Sequence, residues 1–395
     1  MSDREVVIVS AVRTAVGRFG GALKDIHVAN LAALVMREAI NRAGVPQEEV
    51  QEVVFGHAYP PTDAPNIGKV GALKAGLPPS IPGSTVNRLC GSGMQAVHAG
   101  TRLILVGDAD VVLVGGAENM SRYPYELRGA RWGYTRGDHG LIDPASEGLC
   151  DQRTGITTGM TAEVLAEEYG ISREEQDAFA LRSHLNAARA TKEGQFKDEL
   201  LPIEVPQPKG APSKFEVDEQ IRFDISMEKL AALRPAFKQG GTVTAGNSSS
   251  LNDAACAMLL MSADKAAELG VRPLARIVAM GTHSVDALHF GMGPVGAVRK
   301  TLQRAGLTLA DMDLIECNEA FAAQTLAVSK VLEWDMAKLN VNGGGVALGH
   351  PLGCSGSRLI TTLQYELRRR HGRYGLATLC VGGGMGIATV IEMIY

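Results

Sequence analysis

The sequence predicts an α/β protein built from two duplicated βα-rich halves, each with its own sheet covered by helices, with a segment of different character inserted between them. Three observations carry this expectation. Met36 to Ala58, "MREAINRAGVPQEEVQEVVFGHA", lies without gaps on Val298 to Ala320, "VRKTLQRAGLTLADMDLIECNEA". Arg37, Arg42, Ala43, Gly44 and Ala58 match Arg299, Arg304, Ala305, Gly306 and Ala320 at a constant offset of 262. Each copy reads as a helix with apolar residues at helical spacing, a glycine stop and a short buried strand, "EVVFG" or "DLIEC". Such self-similarity marks internal duplication. The second observation is length, since 395 residues suffice for two or three domain-sized units with sizeable cores. The third is that residues 121–250 break the pattern, opening on the Arg-, Gly- and Tyr-rich "SRYPYELRGARWGYTRGDHG".

Taken in order, "MSDREVVIVS" passes directly into a strand-like run, without the basic, apolar and small-residue regions of a signal segment. The stretch Met94 to Leu105 has a helix-like pattern, which puts Cys90 of "VNRLCGSGMQAV" in or just before a first turn. Free N–H groups and the positive end of a helix dipole favour thiolate there, so a lowered Cys90 pKa is expected. Applying the 262 offset to Cys90 lands inside "NGGGVALGHPLGCSGSRLI", which carries His350 and Cys354 before another helical run. If the halves pack about a pseudo-twofold axis, the two loops face each other and Cys90 and His350 become neighbours.

The insertion reads as helical from Gly159 to Gly194, with a capping box of Ser172 and Glu175, and then as an exposed loop over "LPIEVPQPKGAPSKF". The expected domain limits are 1–120, 121–250 and 251–395, with the repeated core of the second half beginning near residue 270.

Composition narrows the function. With 45% hydrophobic residues, 21% charged residues and a net charge of −4, the chain reads as an ordinary globular protein with no nucleic-acid partner. No apolar run approaches the ~18–20 residues of a membrane span. Cysteines at 90, 150, 256, 317, 354 and 380 form no C-x-x-C pair, and the nine histidines form no H-E-x-x-H. Neither a metal site nor a disulfide framework is expected, and reduced thiols suit a cytoplasmic enzyme. Four small-residue stretches, at Cys90, Gly246, Asn342 and Cys380, imply close approach of the backbone to something bound. No phosphate-loop motif is present and no dinucleotide fingerprint opens the first βα unit, so kinase-like and nicotinamide chemistry are not expected.

"VNRLCGSGM", "NEAFAAQ" at Asn318, "NGGGVALGHPLGCSG" and "GLATLCVGGGMGIA" resemble, in order and spacing, the four signature blocks of thiolases. The similarity extends from "VSAVRTAVGRFGG" through "ENMSR" and "RPAFKQGGTVTAGN" to the last strand. It implies a layered αβαβα fold with an inserted loop domain, acetyl-CoA, acyl-CoA and CoA as reaction partners, and no permanently bound cofactor.

Residue by residue, the resemblance implies that Cys90 is the acyl-accepting nucleophile and His350 its activating base. Cys380 would take the α-proton of acetyl-CoA in synthesis or protonate the leaving carbanion in cleavage. His350 and a water held by Asn318 would bind the enolate oxygen, and the N–H groups of Cys90 and Gly382 would bind the tetrahedral oxyanion. Ser249 matches the pantetheine-contacting serine, Arg222 the adenine-side arginine, and Phe237, Ala245, Gly246 and Phe321 would line the tunnel. The pattern departs from short-chain biosynthetic thiolases where Thr157 and Thr158 stand for histidine and methionine, and at Phe290, often methionine there. Acetoacetyl-CoA specificity and a broader 3-ketoacyl-CoA range therefore both stay open. A non-catalytic acyl-CoA-binding protein on this scaffold is disfavoured by the intact Cys90, Asn318, His350 and Cys380. "RGARWGYTRGD" resembles the loop through which many thiolases form tetramers, which implies a homotetramer.

Overall fold

The structure is a computed structural model describing residues 4–206 and 210–395. The first half runs β1 (Val6–Thr14), α1 (Val28–Ala43), β2 (Glu52–Gly56), α2 (Ile67–Ala75), β3 (Gly83–Val86), α3 (Ser92–Val106) and β4 (Val111–Asn119). The insertion contributes α4 (Thr158–Glu168) and α5 (Arg173–Lys192), after which the chain returns as β5 (Asn252–Ser262). The second half runs β6 (Ala275–Ser284), α6 (Gly293–Ala305), β7 (Leu314–Cys317), α7 (Ala322–Leu332), α8 (Leu352–Arg370), β8 (Tyr374–Val381) and β9 (Met385–Met393).

The duplication is visible to the level of backbone angles. α1 ends at Gly44 with φ 66° and ψ 28°, and α6 ends at Gly306 with the same two angles. A 3₁₀ turn follows each glycine, Gln47–Glu49 in one copy and Leu309–Asp311 in the other, and then β2 or β7. The strands run in the order β7-β8-β9-β6-β1-β5-β4-β2-β3, which reads alike outward from the β1/β6 junction. The final position of the second half is reduced to a single parallel bridge between Ile315 and Leu339.

Two expectations need correction. β5 pairs with both β1 and β4, so residues 252–262 complete the first half and do not open the second. The half-sheets are also not separate: Val7 pairs with Arg276 and Ile8 with Ala275, which makes one continuous sheet.

That sheet folds around α3 and α8 to give five layers. Along β4, Val111 and Leu113 face α1 and α2, packing with Leu31, Val35 and Ile67. Val112 and Val114 face the centre, against Met94 and Val97 of α3 and Leu359 and Leu363 of α8. Along β9, Ile387 and Ile391 close the centre from the other side, while Ala388 and Val390 pack outward on Val295 and Val298 of α6. Period-two alternation with both faces apolar is what a sheet covered on both sides requires. Each large apolar side chain so buried contributes about 1.5–3 kcal/mol.

The insertion is tied down by charge. Arg13 of β1, fully buried, meets Glu199 and Asp218, each at 2.7 Å. Within the insertion the capping box forms in full: Ser172 Oγ accepts from Glu175 N–H at 3.1 Å, and Glu175 Oε2 accepts from Ser172 N–H at 2.7 Å. The expected loop over Leu201–Phe215 instead contains a hairpin of Ile203–Val205 and Ser213–Phe215, because Ile203, Val205 and Phe215 alternate inward and are buried. Residues 207–209 of that stretch lie outside the described residues. No described helix is long and apolar enough to cross a membrane.

Gly44 and Gly306 have open space where a Cβ would stand, so only backbone conformation opposes a side chain there. Gly44→Ala and Gly306→Ala should each destabilise the fold by about 1 kcal/mol, the cost of a left-handed L-residue. Urea melts should show nearly equal losses for the two variants.

Candidate active site

Cys90 stands between β3 and α3, two positions ahead of the first helical residue. The turn that presents it is strained: Leu89 has φ 44°, a left-handed conformation unusual for a branched side chain. Local hydrogen bonds hold it there. Asn87 Oδ1 accepts from Leu89 N–H at 2.9 Å, and Ser92 donates to Leu89 O from its hydroxyl at 2.7 Å and from its N–H at 3.0 Å. The backbone N–H groups of Gly382, in the turn that follows β8, and of Cys90 itself lie near enough to the sulfur to favour its charged form.

His350 comes from the loop leading into α8. Its Nδ1 lies 2.6 Å from Ser355 Oγ, and Ser355 donates its own hydrogen to Pro351 O at 2.9 Å. Oγ must therefore accept from Nδ1–H, which leaves Nε2 as a bare acceptor. That Nε2 is buried and has no protein partner. Asn252 Oδ1 accepts from His350 N–H at 2.8 Å and fixes the loop. Burial, aided by the Arg358 charge, depresses the His350 pKa to about 3, so the imidazole is neutral and able to take a proton.

The expectation of a lowered Cys90 pKa is overturned. Burial pushes the thiol up to about 11, against the opposing hydrogen bonds from Gly382 and Cys90 N–H and with a further push from Glu118. Desolvation of the charged form outweighs the helix terminus here. Cys380, at the end of β8, is fully buried and held well above the ordinary thiol range, chiefly by burial and then by Cys90 and Cys317 nearby. Asn318 follows β7, is 0% exposed, and has neither amide atom paired. An unpaired buried amide costs about 1–3 kcal/mol per group, a cost found where a group serves a ligand.

A narrow pocket of about 60 Å³ collects Cys90, Thr158, Ser249, Phe290, Phe321 and His350. Cys380 belongs to the same buried apolar cluster as Phe290 and Phe321. Ser249 is placed by its N–H, which donates to Ala320 O at 2.9 Å. The other predicted binding residues stand outside the lining. Phe237 is half exposed at the mouth, edge-on to Phe321 with ring centroids 5.9 Å apart, Ala245 is exposed, and Gly246 packs on Leu230 and Leu233. Arg222 is half-buried, and its N–H donates to His184 Nδ1 at 3.1 Å. Thr157 is not in the lining either, since its hydroxyl caps α4 by accepting from Met160 N–H at 3.3 Å.

Sequence reasoning missed Met120 and Leu149 of the pocket wall, and Asn252 and Ser355, which orient His350. Asn252 lies within the small-residue stretch that drew attention to Ser249, whereas Ser355 carries no signal without the geometry. A larger cavity of about 240 Å³, lined by His27, His57, Tyr59, Asn119 and Tyr123, holds none of the predicted site residues.

Comparison with known proteins gives the family and the fold. The family model described as "Thiolase, N-terminal domain" matches residues 6–264, and "Thiolase, C-terminal domain" matches residues 271–393. The chain is 50% identical to acetyl-CoA acetyltransferase of Chromobacterium violaceum, over 98% of this chain and 99% of that one. The crystal structure of the Bacillus anthracis acetyl-CoA acetyltransferase superposes with a TM-score of 0.97 at 47% identity, over 99% of both chains. Human mitochondrial 3-ketoacyl-CoA thiolase in complex with CoA superposes with a TM-score of 0.96 at 44% identity, covering 99% of this chain and 98% of the other.

A thiol titrating near 11 gives a definite pH profile. Alkylation of Cys90 by iodoacetamide should rise about tenfold per pH unit between pH 6 and 9, because only the thiolate reacts. A rate independent of pH above 6 would instead reveal a preformed thiolate–imidazolium pair.

Proposed function

The chain belongs to the thiolase family, and we propose that its acyl transfer runs through Cys90, His350, Cys380 and Asn318 in the roles their positions support. It is an acyltransferase of the acetyl-CoA acetyltransferase type. The observation that carries the residue assignment is that Cys90 and His350, whose Nε2 is buried and unpartnered, line one apolar pocket.

In the first half-reaction, Cys90 gives its proton to His350 Nε2 as its sulfur attacks the substrate carbonyl. The developing oxyanion is met by the N–H groups of Cys90 and Gly382, which lie near the sulfur in the resting site. One such donor is worth about 10²–10³ in rate. The C–C or C–S bond then breaks, and the departing enolate or CoA thiolate takes the Cys380 proton. Cys380 rests as a thiol, the form this step requires. The Cys380 thiolate so formed is the base of the second half-reaction. It removes the α-proton of acetyl-CoA in synthesis, or the thiol proton of CoA in cleavage. The resulting enolate or CoA thiolate attacks the acyl carbonyl, the bond from the acyl group to Cys90 breaks, and His350 returns its proton to the Cys90 sulfur. The enolate oxygen is received by the His350 and Asn318 side of the pocket, where Nε2 and the amide have no other partner.

Coenzyme A is proposed as substrate and product, with Ser249 on the pantetheine arm, Phe237 at the mouth and Arg222 on the adenine side. The narrowness of the pocket and the apolar Leu149, Phe290 and Phe321 in its wall support short acyl groups. The six free cysteines suit a reducing cytoplasm. Trp132, 89% exposed, together with Tyr125, Leu127 and Leu141, supports a homotetramer built on that loop. Light scattering should give four times the chain mass, and Trp132→Asp should reduce it.

The deciding experiment is CoA-dependent cleavage of acetoacetyl-CoA and 3-ketooctanoyl-CoA, followed by loss of enolate absorbance. Acetoacetyl-CoA should be cleaved faster, and Cys90→Ala should abolish both activities while leaving the melting temperature unchanged. Faster cleavage of the longer substrate would make the chain a broad-range 3-ketoacyl-CoA thiolase, and normal turnover by Cys90→Ala would remove the nucleophile assignment.

A further inference from the structure

Glu118 is the penultimate residue of β4 and is 0% exposed, yet the chemistry above does not use it. Its Oε2 accepts two backbone hydrogen bonds, from Ala58 N–H at 2.9 Å and from Gly353 N–H at 2.7 Å. Gly353 is the second residue of α8, and its N–H is one of the four that a helix leaves without an internal partner. α8 has no cap of its own, because its N-cap residue is Pro351, which offers no side-chain acceptor. A carboxylate 235 positions away in sequence fills that role, where the positive end of a 19-residue helix favours negative charge.

The fit is close. A Cβ on Gly353 would stand 2.7 Å from Glu118 Oε2, 2.8 Å from Ala117 O and 2.9 Å from the His57 Cα. His350 lies three residues before Gly353, and Ser355, which orients its ring, lies two after. The duplication gives the position a further meaning. At the 262 offset, Glu118 falls on Cys380 and Gly353 on Gly91, so the same place in the fold holds an acid–base thiol in one half and a fixed carboxylate in the other.

We propose that Glu118 is the positioning residue of the active site: its carboxylate, supplied by the first half, caps the helix of the second half and so holds His350 in the Cys90 pocket. This rests on the thiolase assignment. The titratable groups facing Glu118 are His57, with Nδ1 3.2 Å from Oε1, and Tyr59, Tyr123, Cys90 and Cys354. Those facing Cys90 are His350, Cys380, Tyr59, Tyr123 and Glu118 itself.

The test uses the full-length enzyme with Glu118→Gln and Glu118→Ala. It reads kcat and KM for acetoacetyl-CoA cleavage, with the melting temperature as the check on folding. Glu118→Ala loses the cap and should lower kcat about 100-fold with little change in KM, as expected when a catalytic group is misplaced by ~1 Å. Glu118→Gln keeps an oxygen that can accept both N–H groups, so most of kcat should survive. A merely structural role would not separate kcat from KM in folded enzyme, nor distinguish the two variants. Wild-type kcat in folded Glu118→Ala overturns the proposal, and so does a kcat in folded Glu118→Gln as low as that of Glu118→Ala. If Glu118→Ala does not fold, Glu118→Met, which fills the space without an acceptor, takes its place in both comparisons. Failure of the thiolase reading would show separately, as absent turnover in the wild-type enzyme.

Discussion

The molecule depends on one close approach: the leading turns of α3 and α8 meet at the pseudo-twofold centre, with a sheet half on either side. That meeting is possible only where side chains are absent. A Cβ on Gly116 would stand 1.9 Å from Gly353 O, and one on Gly93 would stand 2.8 Å from the same oxygen. Backbone against backbone at this distance brings the loop of Cys90 and the loop of His350 into one pocket. Residues 260 positions apart in sequence become partners through packing, and no local motif contains both.

Burial at that centre sets the charge state of every group that moves a proton. Cys90 and Cys380 are held as thiols and His350 as neutral imidazole. Reacting groups that are neutral at rest need no counter-charges of their own, so the pocket walls can be apolar and their polar groups few. On these groups charge then arises only during turnover, at atoms where Gly382 N–H, His350 Nε2 and Asn318 stand ready. Preorganised donors in a dry site are worth more than the same donors in water, because no solvent must reorganise when charge appears. The unpaired Nε2 and amide atoms are the cost the folded state bears for this readiness.

Much of this was legible in the sequence because duplication leaves two readings of each element. Gly44 and Gly306 announce the same helix end, and the offset from Cys90 to the His350 loop gives the central encounter before any coordinates. The signature blocks then give the roles proposed for Cys90, Asn318, His350 and Cys380. What could not be read was of two kinds. Sheet assignment of residues 252–262 depends on long-range pairing, which apolar periodicity does not encode. The Cys90 pKa depends on how much water reaches the sulfur, and a helix-start position says nothing of that. Ser355 and Glu118 escaped for a related reason: each acts through a contact whose partner is fixed only by the tertiary fold.

The two parts of the molecule divide the work. All four proposed chemical groups come from the duplicated core, at strand ends and helix starts held by the continuous sheet. Part of the pocket wall comes from the insertion: Leu149 and Thr158 face the cavity together because Thr158 N–H donates to Leu149 O at 2.9 Å. Arg13, with its two buried carboxylates, anchors that insertion to β1, and none of the three lines the pocket. Side chains in the 149–158 segment can therefore change the room for an acyl chain without disturbing the thiol, the imidazole or the helix starts that carry them. On the proposed reading, Thr158, which faces the cavity, bears on which substrate is taken and not on how it is cleaved, while Thr157 acts only by capping the helix that carries Thr158.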